Sequence, residues 1–172
     1  MELEQAIRTR RTHKVFASEP VEPVVLEQLL ELARWAPNHH LTNPWRFRVL
    51  GPQSLKRLKT VAEAVKPGSA AKLDRAPTLV VASARLEGDA SQRSDDLLAG
   101  AVAAYVVLLA AHARGLAGYW RTLAFLGSPA GREAVELGAA ETPIGLLHLG
   151  YPRQEQRVPE RAGVAEFVSY LA

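Results

Sequence analysis

The sequence predicts an α+β fold, and three observations carry this prediction. Four short apolar segments with strand-like composition are separated by stretches with helical periodicity. No glycine-rich turn joins a strand to a helix, as a doubly wound parallel sheet would require. The uncharged stretch Leu97–Ala111, LLAGAVAAYVVLLAA, is apolar on every face of a helix and therefore needs cover on all sides. We expect a single domain over residues 1–172, in which this helix is central.

Composition excludes several classes of protein. The chain has 172 residues, 48% of them hydrophobic, which suits one domain with a real core. It contains no cysteine, which excludes disulfides, thiolate metal sites, iron–sulfur clusters and cysteine nucleophiles. The net charge of +3 does not demand nucleic acid and permits an anionic small molecule. The charged N-terminal sequence MELEQAIRTRR shows no signal peptide, so we expect a cytoplasmic protein.

The apolar stretch Leu97–Ala111 is not expected to span a membrane. Its fifteen uncharged residues are fewer than the ~20 that cross a bilayer. The sequence predicts Ser94 as the N-cap of this helix and Gly115 as its C′ residue. Helix capping also explains the acidic pair Asp95-Asp96 at its start. The stretch is therefore predicted to be a core helix.

Apolar periodicity and proline positions predict the other helices. Leu3, Ala6 and Ile7 line one side of an N-terminal helix, and Pro37 ends the second helix. The predicted helices besides the central one are Glu2–Arg10, Val24–Trp35, Ser54–Val65, a short Ala70–Arg75 and Ser128–Leu137. Residues 85–93 are expected to form a polar connector.

β-branched and aromatic residues between these helices predict four strands. They are Trp45–Leu50, Thr78–Ala84, a segment around Trp120, and Ile144–Leu149. His148, in the last strand, is interpreted as a core histidine with satisfied hydrogen bonds. The segment Val164–Leu171 becomes apolar and strand-like again after a polar arm. We expect it to reach across and add a strand to the sheet edge of a partner chain.

The sequence lacks the standard catalytic and nucleotide-binding motifs. It contains no dinucleotide-binding glycine pattern, no P-loop and no H-E-x-x-H pair. His39 and His40 are neighbours on a loop without a third ligand, so no metal site is expected. No carboxylate pair or histidine stands out as a general acid or base, and we predict no catalytic side chain.

Arginines and aromatic rings concentrate in three segments. They are Arg10–Lys14 (RRTHK), Pro37–Trp45 (PNHHLTNPW) and Trp120–Thr122 (WRT). Arginine forks and hydroxyl groups bind phosphate, while tryptophan and proline faces suit a flat ring. The residues alone predict a nucleotide-like ligand with an anionic tail and a planar head.

These segments resemble the signatures of one family. Arg10-Arg-Thr-His-Lys-Val-Phe16 is similar to R-R-S-x-[RK]-x-F, and Gly118-Tyr-Trp-Arg-Thr122 is similar to G-x-x-W-R-[ST]. Ala36-Pro-Asn-His-His-Leu-Thr-Asn-Pro-Trp-Arg-Phe47 resembles A-P-[SD]-x-x-x-x-Q-P-W-x-F. With Leu149-Gly-Tyr-Pro152 near the end, their order resembles the FMN-dependent nitroreductase family in its compact single-domain branch. The resemblance implies a nitroreductase-like fold: a central, mostly antiparallel sheet flanked by helices, with a C-terminal strand exchanged in a homodimer.

The resemblance also implies the site residues, since the family binds two FMN molecules at the subunit interface. One subunit would hold the phosphate, ribityl chain, pyrimidine edge and ring through Arg10, Arg11, Thr12, Lys14, Trp120, Arg121 and Thr122. The other subunit would contribute Trp35, Pro37, Asn38 and His39 around the ring. A nicotinamide contact is implied at the end of the central helix, at Ala110, Ala111, His112, Ala113, Arg114 and Gly115.

Three positions depart from the family pattern. Thr12 replaces the usual serine and keeps its hydroxyl. Asn43 stands where glutamine is usual, which shortens a polar reach by one methylene. Trp35 occupies a position that is arginine in some relatives, so a charge contact would become stacking or a backbone contact. The last two changes bear on substrate shape more than on flavin binding.

The resemblance implies a ping-pong oxidoreductase that passes hydride from NAD(P)H through FMN to nitroaromatics, nitro-heterocycles or quinones. Other interpretations stay open: a different flavin reaction on the same fold, such as dehalogenation or flavin fragmentation, or an FMN carrier without turnover. A basic nucleic-acid-binding module is a third alternative. Its aromatic residues would have to be interleaved with the charges, and they are not. We therefore expect a homodimer and a small-molecule acceptor as partners, without nucleic acid or membrane.

Overall fold

The structure, a computed structural model, describes residues 1–171 and has the predicted α+β architecture. Its α-helices over this range are α1 Leu3–Thr9, α2 Pro23–Ala33, α3 Pro52–Val65, α4 Ala90–Ala113 and α5 Pro129–Ala134. Its strands are β1 Trp45–Val49, β2 Thr78–Arg85, β3 Ala117–Arg121 and β4 Glu141–Gly150. Short 3₁₀ turns lie at His39–Leu41, Ala70–Asp74, Ala124–Gly127 and Val164–Glu166.

The four strands form one sheet in the order β1-β2-β4-β3, and every neighbouring pair is antiparallel. This confirms the prediction of a central antiparallel sheet. Strands β2 and β4 occupy the middle and are buried along most of their length. Because β3 is an edge strand, its outer side is open to pairing with another segment.

The sheet separates two apolar cores. Helices α2 and α4 cover one face and α3 and α5 cover the other. Side chains along β4 alternate between them, so Leu147 and Leu149 pack on the α2–α4 side and Leu146 packs on the α3–α5 side. Helix α4 lies very close to the sheet at Gly100, where an added Cβ would stand 2.6 Å from the Ile144 Cδ1 atom.

The start of α4 differs from the prediction, and its end confirms it. The helix begins at Ala90 with Asp89 as N-cap, whose side chain accepts the Gln92 N–H at 2.9 Å, so Ser94 is not the cap. The first turns are polar and exposed, which is why apolar periodicity misplaced them in a connector. At the other end Gly115 has φ +76°, and its N–H bonds to the His112 carbonyl at 2.9 Å, as a C′ glycine should.

The length argument against a membrane span was wrong, because α4 has 24 residues and an 18-residue window of mean hydropathy 1.8. By length and composition alone such a helix could cross a bilayer. In this fold half of that window is buried, and the helix packs on the sheet through small residues such as Ala103 and Ala111. One stripe of α4 stays uncovered in the single chain, at Leu98, Val102 and Tyr105.

The C-terminal tail is not a strand within this chain. Residues 153–171 are almost all exposed, carry one 3₁₀ turn at Val164–Glu166 and make no sheet pairing among the described residues. The strand-like composition of Val164–Leu171 was therefore misleading for the isolated protomer. Its pairing with a partner chain stays a prediction.

His148 is buried as predicted, but it is not satisfied. Neither ring nitrogen has a hydrogen-bond partner, and the ring lies 5.3 Å from the Tyr119 ring. Burial, followed by the positive charges of Arg121 and Arg75, lowers its pKa to about 4. The imidazole is consequently neutral at physiological pH.

Candidate active site

The arginine segment Arg10–Lys14 extends the sheet beyond its edge strand. Thr12 forms an isolated parallel bridge with Gly118 on β3, and the His13 N–H donates to the Gly118 carbonyl at 3.1 Å. Arg121 ends the same strand. Edge pairing therefore brings two of the three predicted site segments next to each other.

Three guanidinium groups in these segments hold buried nitrogen atoms without hydrogen-bond partners. They are Nε of Arg10, Nε of Arg11 and Nη1 of Arg121. Arg11 also donates from Nη1 to the Arg8 and Arg10 carbonyls, at 2.7 and 2.9 Å, which folds it back on the end of α1. Buried donors are nearly always paired in folded proteins, so these groups suit an anionic partner. Arg121 lies on the α3–α5 side of β3, however, away from the contact that Arg10 makes with α4.

Arg10 and Arg121 sit in different surroundings. The Arg10 guanidinium lies 6.0 Å from the centre of the Tyr105 ring on α4, within cation–π distance. Burial lowers the pKa of Arg121; the Tyr119 charge opposes that shift, and Arg75 adds to it. Arg121 nevertheless stays protonated, since an arginine pKa lies far above neutral pH.

Trp120 points to the opposite face of β3 from Arg121. Its indole packs against the α2–α4 core, and its Nε1–H donates to the Ile144 carbonyl at 3.3 Å. Gly145 makes room for the ring, because a Cβ there would lie 2.4 Å from the Trp120 Nε1 atom. Thr122 follows the strand and is exposed, as are Thr12 and Lys14.

The loop after α2 meets α4 at a different place. Pro37, Asn38 and His39 line a cavity of about 480 Å³ with Leu98 and Val102 of α4. Arg10 contacts the same helix at Tyr105, roughly one turn further along. Within one chain, the loop residues Pro37–His39 and the arginine segment therefore contact separate stretches of α4. The resemblance assigns these two groups to different subunits at each flavin.

Trp35 borders a second cavity on this loop. This cavity of about 600 Å³ is lined mainly by apolar groups: Trp35, Ala36, Pro37, Leu41 and Trp45, with Arg34, Asn38 and Asn43. The Trp35 ring is largely exposed, and the Arg34 guanidinium lies 5.8 Å from its centre. A flat apolar ring could rest there.

The asparagine side chains close the loop on itself. Asn38 Oδ1 accepts the Asn43 N–H at 2.9 Å, and Asn38 Nδ2 donates to the Ala36 carbonyl at 3.3 Å. Asn43 Nδ2 donates to the Leu41 carbonyl at 2.9 Å. The Asn43 side chain, which is one methylene shorter than the usual glutamine, therefore makes its hydrogen bond within the loop.

Asp96 is a site-adjacent residue that sequence reasoning misjudged. It does not cap α4; it is 2% exposed and accepts hydrogen bonds from Thr42 Oγ1 at 2.5 Å and Gln92 Nε2 at 3.0 Å. Its position beside Asp95 suggested a cap, and only the tertiary contact with Thr42 reveals its role. No signal in the sequence separates the two acidic residues.

The residues implied for nicotinamide split into two groups. Ala110 and Ala111 are buried in the core. His112 and Gly115 instead border a cavity of about 510 Å³ with His13 and the start of the C-terminal tail. Ala113 is half-buried and Arg114 is exposed at the helix end. Only the helix end could therefore touch a ligand.

Two histidines in that cavity lie close enough to the arginine segment for its charges to shift their pKa values. Burial lowers the pKa of both His13 and His112. Repulsion from His112 and Arg10 adds to the effect at His13, and repulsion from Arg10 and Arg11 adds to it at His112. The Nε2 atom of His112 lies 2.8 Å from the Thr9 hydroxyl.

Within residues 1–171 no group of three or more histidine, aspartate or glutamate side chains is arranged to hold a metal ion.

A family model described as the nitroreductase family matches residues 7–151. The chain belongs to the nitroreductase family. The matched range includes the arginine segment, the loop after α2 and strand β3.

Individual relatives agree with this assignment. A Bacillus subtilis protein, provisionally named NAD(P)H nitroreductase YfhC, is 25% identical over 95% of this chain and 91% of its own. The crystal structure of a nitroreductase-like protein from Bacillus cereus superposes with TM-score 0.90 at 23% identity, covering 99% of this chain and 96% of that one. A Desulfovibrio desulfuricans protein, provisionally classed as a nitroreductase and crystallised in complex with FMN, gives TM-score 0.82 at 23% identity, over 100% and 98%.

Proposed function

We propose that this protein is an FMN-dependent oxidoreductase that passes hydride from NAD(P)H to small electron-poor acceptors in a ping-pong cycle. The observation that carries the proposal is the pair of buried, unpartnered guanidinium nitrogens on the neighbouring residues Arg10 and Arg11. The Bacillus subtilis relative's name and the Desulfovibrio structure with FMN favour a flavin and a nicotinamide among the possible anionic ligands.

The chain's residues fit FMN on chemical grounds. Arg10 and Arg11 offer orphan donors to a phosphate, while exposed Thr12 and Lys14 on the same segment offer a hydroxyl and an ammonium group to the ribityl chain and pyrimidine edge. Trp120 and Thr122 would flank the ring. When bound, FMN supplies the two-electron chemistry; the protein supplies position and charge.

Fixed cations are the protein's electrostatic contribution. Arg121 and Lys14 would stand on the side of the cofactor that gains negative charge on reduction, and a nearby positive charge stabilises that form. No side chain is required as general acid or base, since solvent or the flavin itself can supply protons. This agrees with the lack of a predicted catalytic residue.

A homodimer would complete the site. The uncovered stripe of α4 at Leu98, Val102 and Tyr105 and the exposed Leu3 and Ile7 of α1 are apolar surfaces in one chain. A second copy could cover them, bring its Trp35, Pro37, Asn38 and His39 to the flavin, and receive the C-terminal tail as an exchanged strand. The cytoplasmic location stays a prediction alongside this assembly.

The cavity beside Trp35 supports planar, apolar acceptors. Trp35, Pro37 and Trp45 provide flat surfaces, and Arg34 places one positive charge at the rim. Nitroaromatics, nitro-heterocycles and quinones combine a flat, electron-poor ring with oxygen atoms that carry partial negative charge, and they match this lining.

A visible spectrum followed by steady-state kinetics tests the proposal. The purified protein should show flavin absorption bands, and it should oxidise NADH or NADPH when a quinone or nitroaromatic is supplied. Tight FMN binding without turnover would favour the carrier. Loss of the flavin during turnover would favour fragmentation, and release of halide from a haloaromatic would favour dehalogenation. Colourless protein that is still colourless after incubation with FMN and removal of the unbound FMN would refute the proposal.

A further inference from the structure

The loop between α2 and β1 is strained. His40 and Leu41 both have φ 53° and Asn43 has φ 46°, which lies in the left-handed region that non-glycine residues rarely adopt. Leu41 is 77% exposed, so burial of its side chain does not offset the strain. Such a conformation persists only where surrounding contacts impose it, and such strain concentrates at functional sites.

The ends of the loop are anchored by burial, and Thr42 in its middle ties it to α4. Ala36 and Pro44, on either side of the strained residues, are buried. Between them, Thr42 donates to the buried carboxylate of Asp96 at 2.5 Å and thereby ties the loop to α4. Arg46 on β1 adds a hydrogen bond from Nη1 to the Asn43 carbonyl at 2.8 Å.

Burying the Asp96 carboxylate is costly and needs a reason. Helix capping is not that reason, because Asp89 caps α4. The two hydrogen bonds to Asp96, from Thr42 and Gln92, both reach Oδ1. Charge-assisted bonds of this kind are stronger and more directional than neutral ones. One of them joins α4 to the strained loop, and the other stays within α4.

We infer that Asp96 is a positioning residue: through Thr42 it holds the loop in the conformation that presents Trp35–His39 to the flavin of the partner subunit. The inference deepens the proposed function and rests on it for the ligand. The part that concerns the Thr42–Asp96 hydrogen bond, which we call the clamp on the loop, involves this chain alone. The relevant geometry is that Pro37, Asn38 and His39 line the cavity against α4 beside Asp95, next to the clamp.

Thr42→Val removes the donor while keeping the branched shape of the side chain. We expect amide hydrogen exchange across residues 38–43 to become faster in the FMN-free protein and the FMN dissociation constant to rise about tenfold. Thr42→Ser keeps the hydroxyl and should show the loop exchange and the FMN dissociation constant of the parent. Gln92→Met is the matched control, since it removes the bond to Asp96 that does not reach the loop; it should leave exchange in the loop and FMN affinity unchanged.

The outcomes separate this inference from the proposed function. Unchanged loop exchange in Thr42→Val, or equal effects of Thr42→Val and Gln92→Met, would overturn the clamp. Faster loop exchange with unchanged FMN affinity would overturn the link to the flavin. Should Thr42→Val not fold, Asp96→Asn provides the test, because the neutral amide oxygen is a weaker acceptor than the carboxylate. Amide exchange in the loop should then rise by an intermediate amount, and FMN binding should weaken about threefold. Parent-like values of both would overturn the inference. A parent protein that binds no FMN would refute the proposed function, while the exchange comparison would still test the clamp.

Discussion

Arg48 and Glu141 form a two-pronged ion pair that spans the strand between them. Nη1 and Nη2 of Arg48 on β1 each lie 2.6 Å from a carboxylate oxygen of Glu141 on β4. Ser83, on the intervening strand β2, donates to the same carboxylate at 2.6 Å. The pair thus ties together three of the four strands at one end of the sheet.

Glu141→Gln should destabilise the protein by about 2 kcal/mol in urea unfolding. The side chains of Arg48 and Glu141 are only 27% and 11% exposed, so removing the negative charge leaves a poorly solvated guanidinium without its partner. Glu87→Gln is the matched control, because Glu87 pairs with Arg85 at the surface and its loss should cost about 0.5 kcal/mol or less. Equal effects of the two substitutions would show that the pair is a surface contact.

The contribution of Glu141 should disappear in acid. Burial by itself would raise the pKa of Glu141, but the hydrogen bonds from Arg48 and Ser83 and the Arg48 charge outweigh it and lower the pKa from 4.5 to about 2. Because the folded state holds the proton less tightly than the unfolded state, this stabilisation is complete above pH 4.5 and is lost as the pH falls towards 2. The free energy difference between parent and Glu141→Gln should shrink over that window. A difference independent of pH would contradict the assignment.

The sequence predicted burial and element type better than it predicted partners. Apolar periodicity placed α2, α3 and all four strands within a few residues, because the alternation of apolar side chains follows directly from core packing. It could not show that Asp96 turns inward while Asp95 does not, since both precede the same apolar stretch. Nor could it show which segment lies beside β3, because that depends on a contact between residues far apart in the chain, Thr12 and Gly118.

The tail and His148 illustrate the same limit. Composition indicates that Val164–Leu171 can form a strand, but a strand exists only when another strand supplies its hydrogen bonds. Likewise, an apolar strand predicts that His148 is buried and says nothing about partners for its nitrogens. The site segments could still be assigned to a family, because their order along the chain resembled that of known signatures. The family match over residues 7–151 confirmed that family.

His148→Leu should flatten the stability profile between pH 6.5 and 4. The pKa of His148 falls from 6.5 to about 4 in the folded state, chiefly through burial, so the unfolded state takes up a proton first as the pH drops. The parent should therefore lose about 3 kcal/mol more stability over this window than the leucine variant. With both nitrogens unpartnered, the substitution should cost little at pH 7 or stabilise the fold. His40→Leu, at an exposed position, is the matched substitution of a histidine outside the core.

Arg10→Ala and Arg121→Ala should each weaken FMN binding by about ten- to a hundredfold, since each removes a cation with a buried, unpartnered nitrogen. Titration of FMN into the flavin-free variants, followed by quenching of flavin fluorescence, measures the change. Arg93→Ala removes one exposed arginine near the start of α4 and serves as the control for net charge. Parent-like affinity in both site variants would place the flavin elsewhere on the protein.

Leu98→Asp should dissociate the proposed homodimer and with it reduce flavin binding. Leu98 is 63% exposed on the uncovered stripe of α4, and a carboxylate buried there against a second copy would lack a partner. Val65→Asp is a matched control, because Val65 is 62% exposed at the end of α3, on the other face of the sheet. Sedimentation velocity should show a dimer for the parent and Val65→Asp and a single chain for Leu98→Asp, which should also hold less FMN. A Leu98→Asp variant that remains dimeric with full flavin content would place the interface away from α4, because one buried charge at its centre is costly enough to separate the subunits.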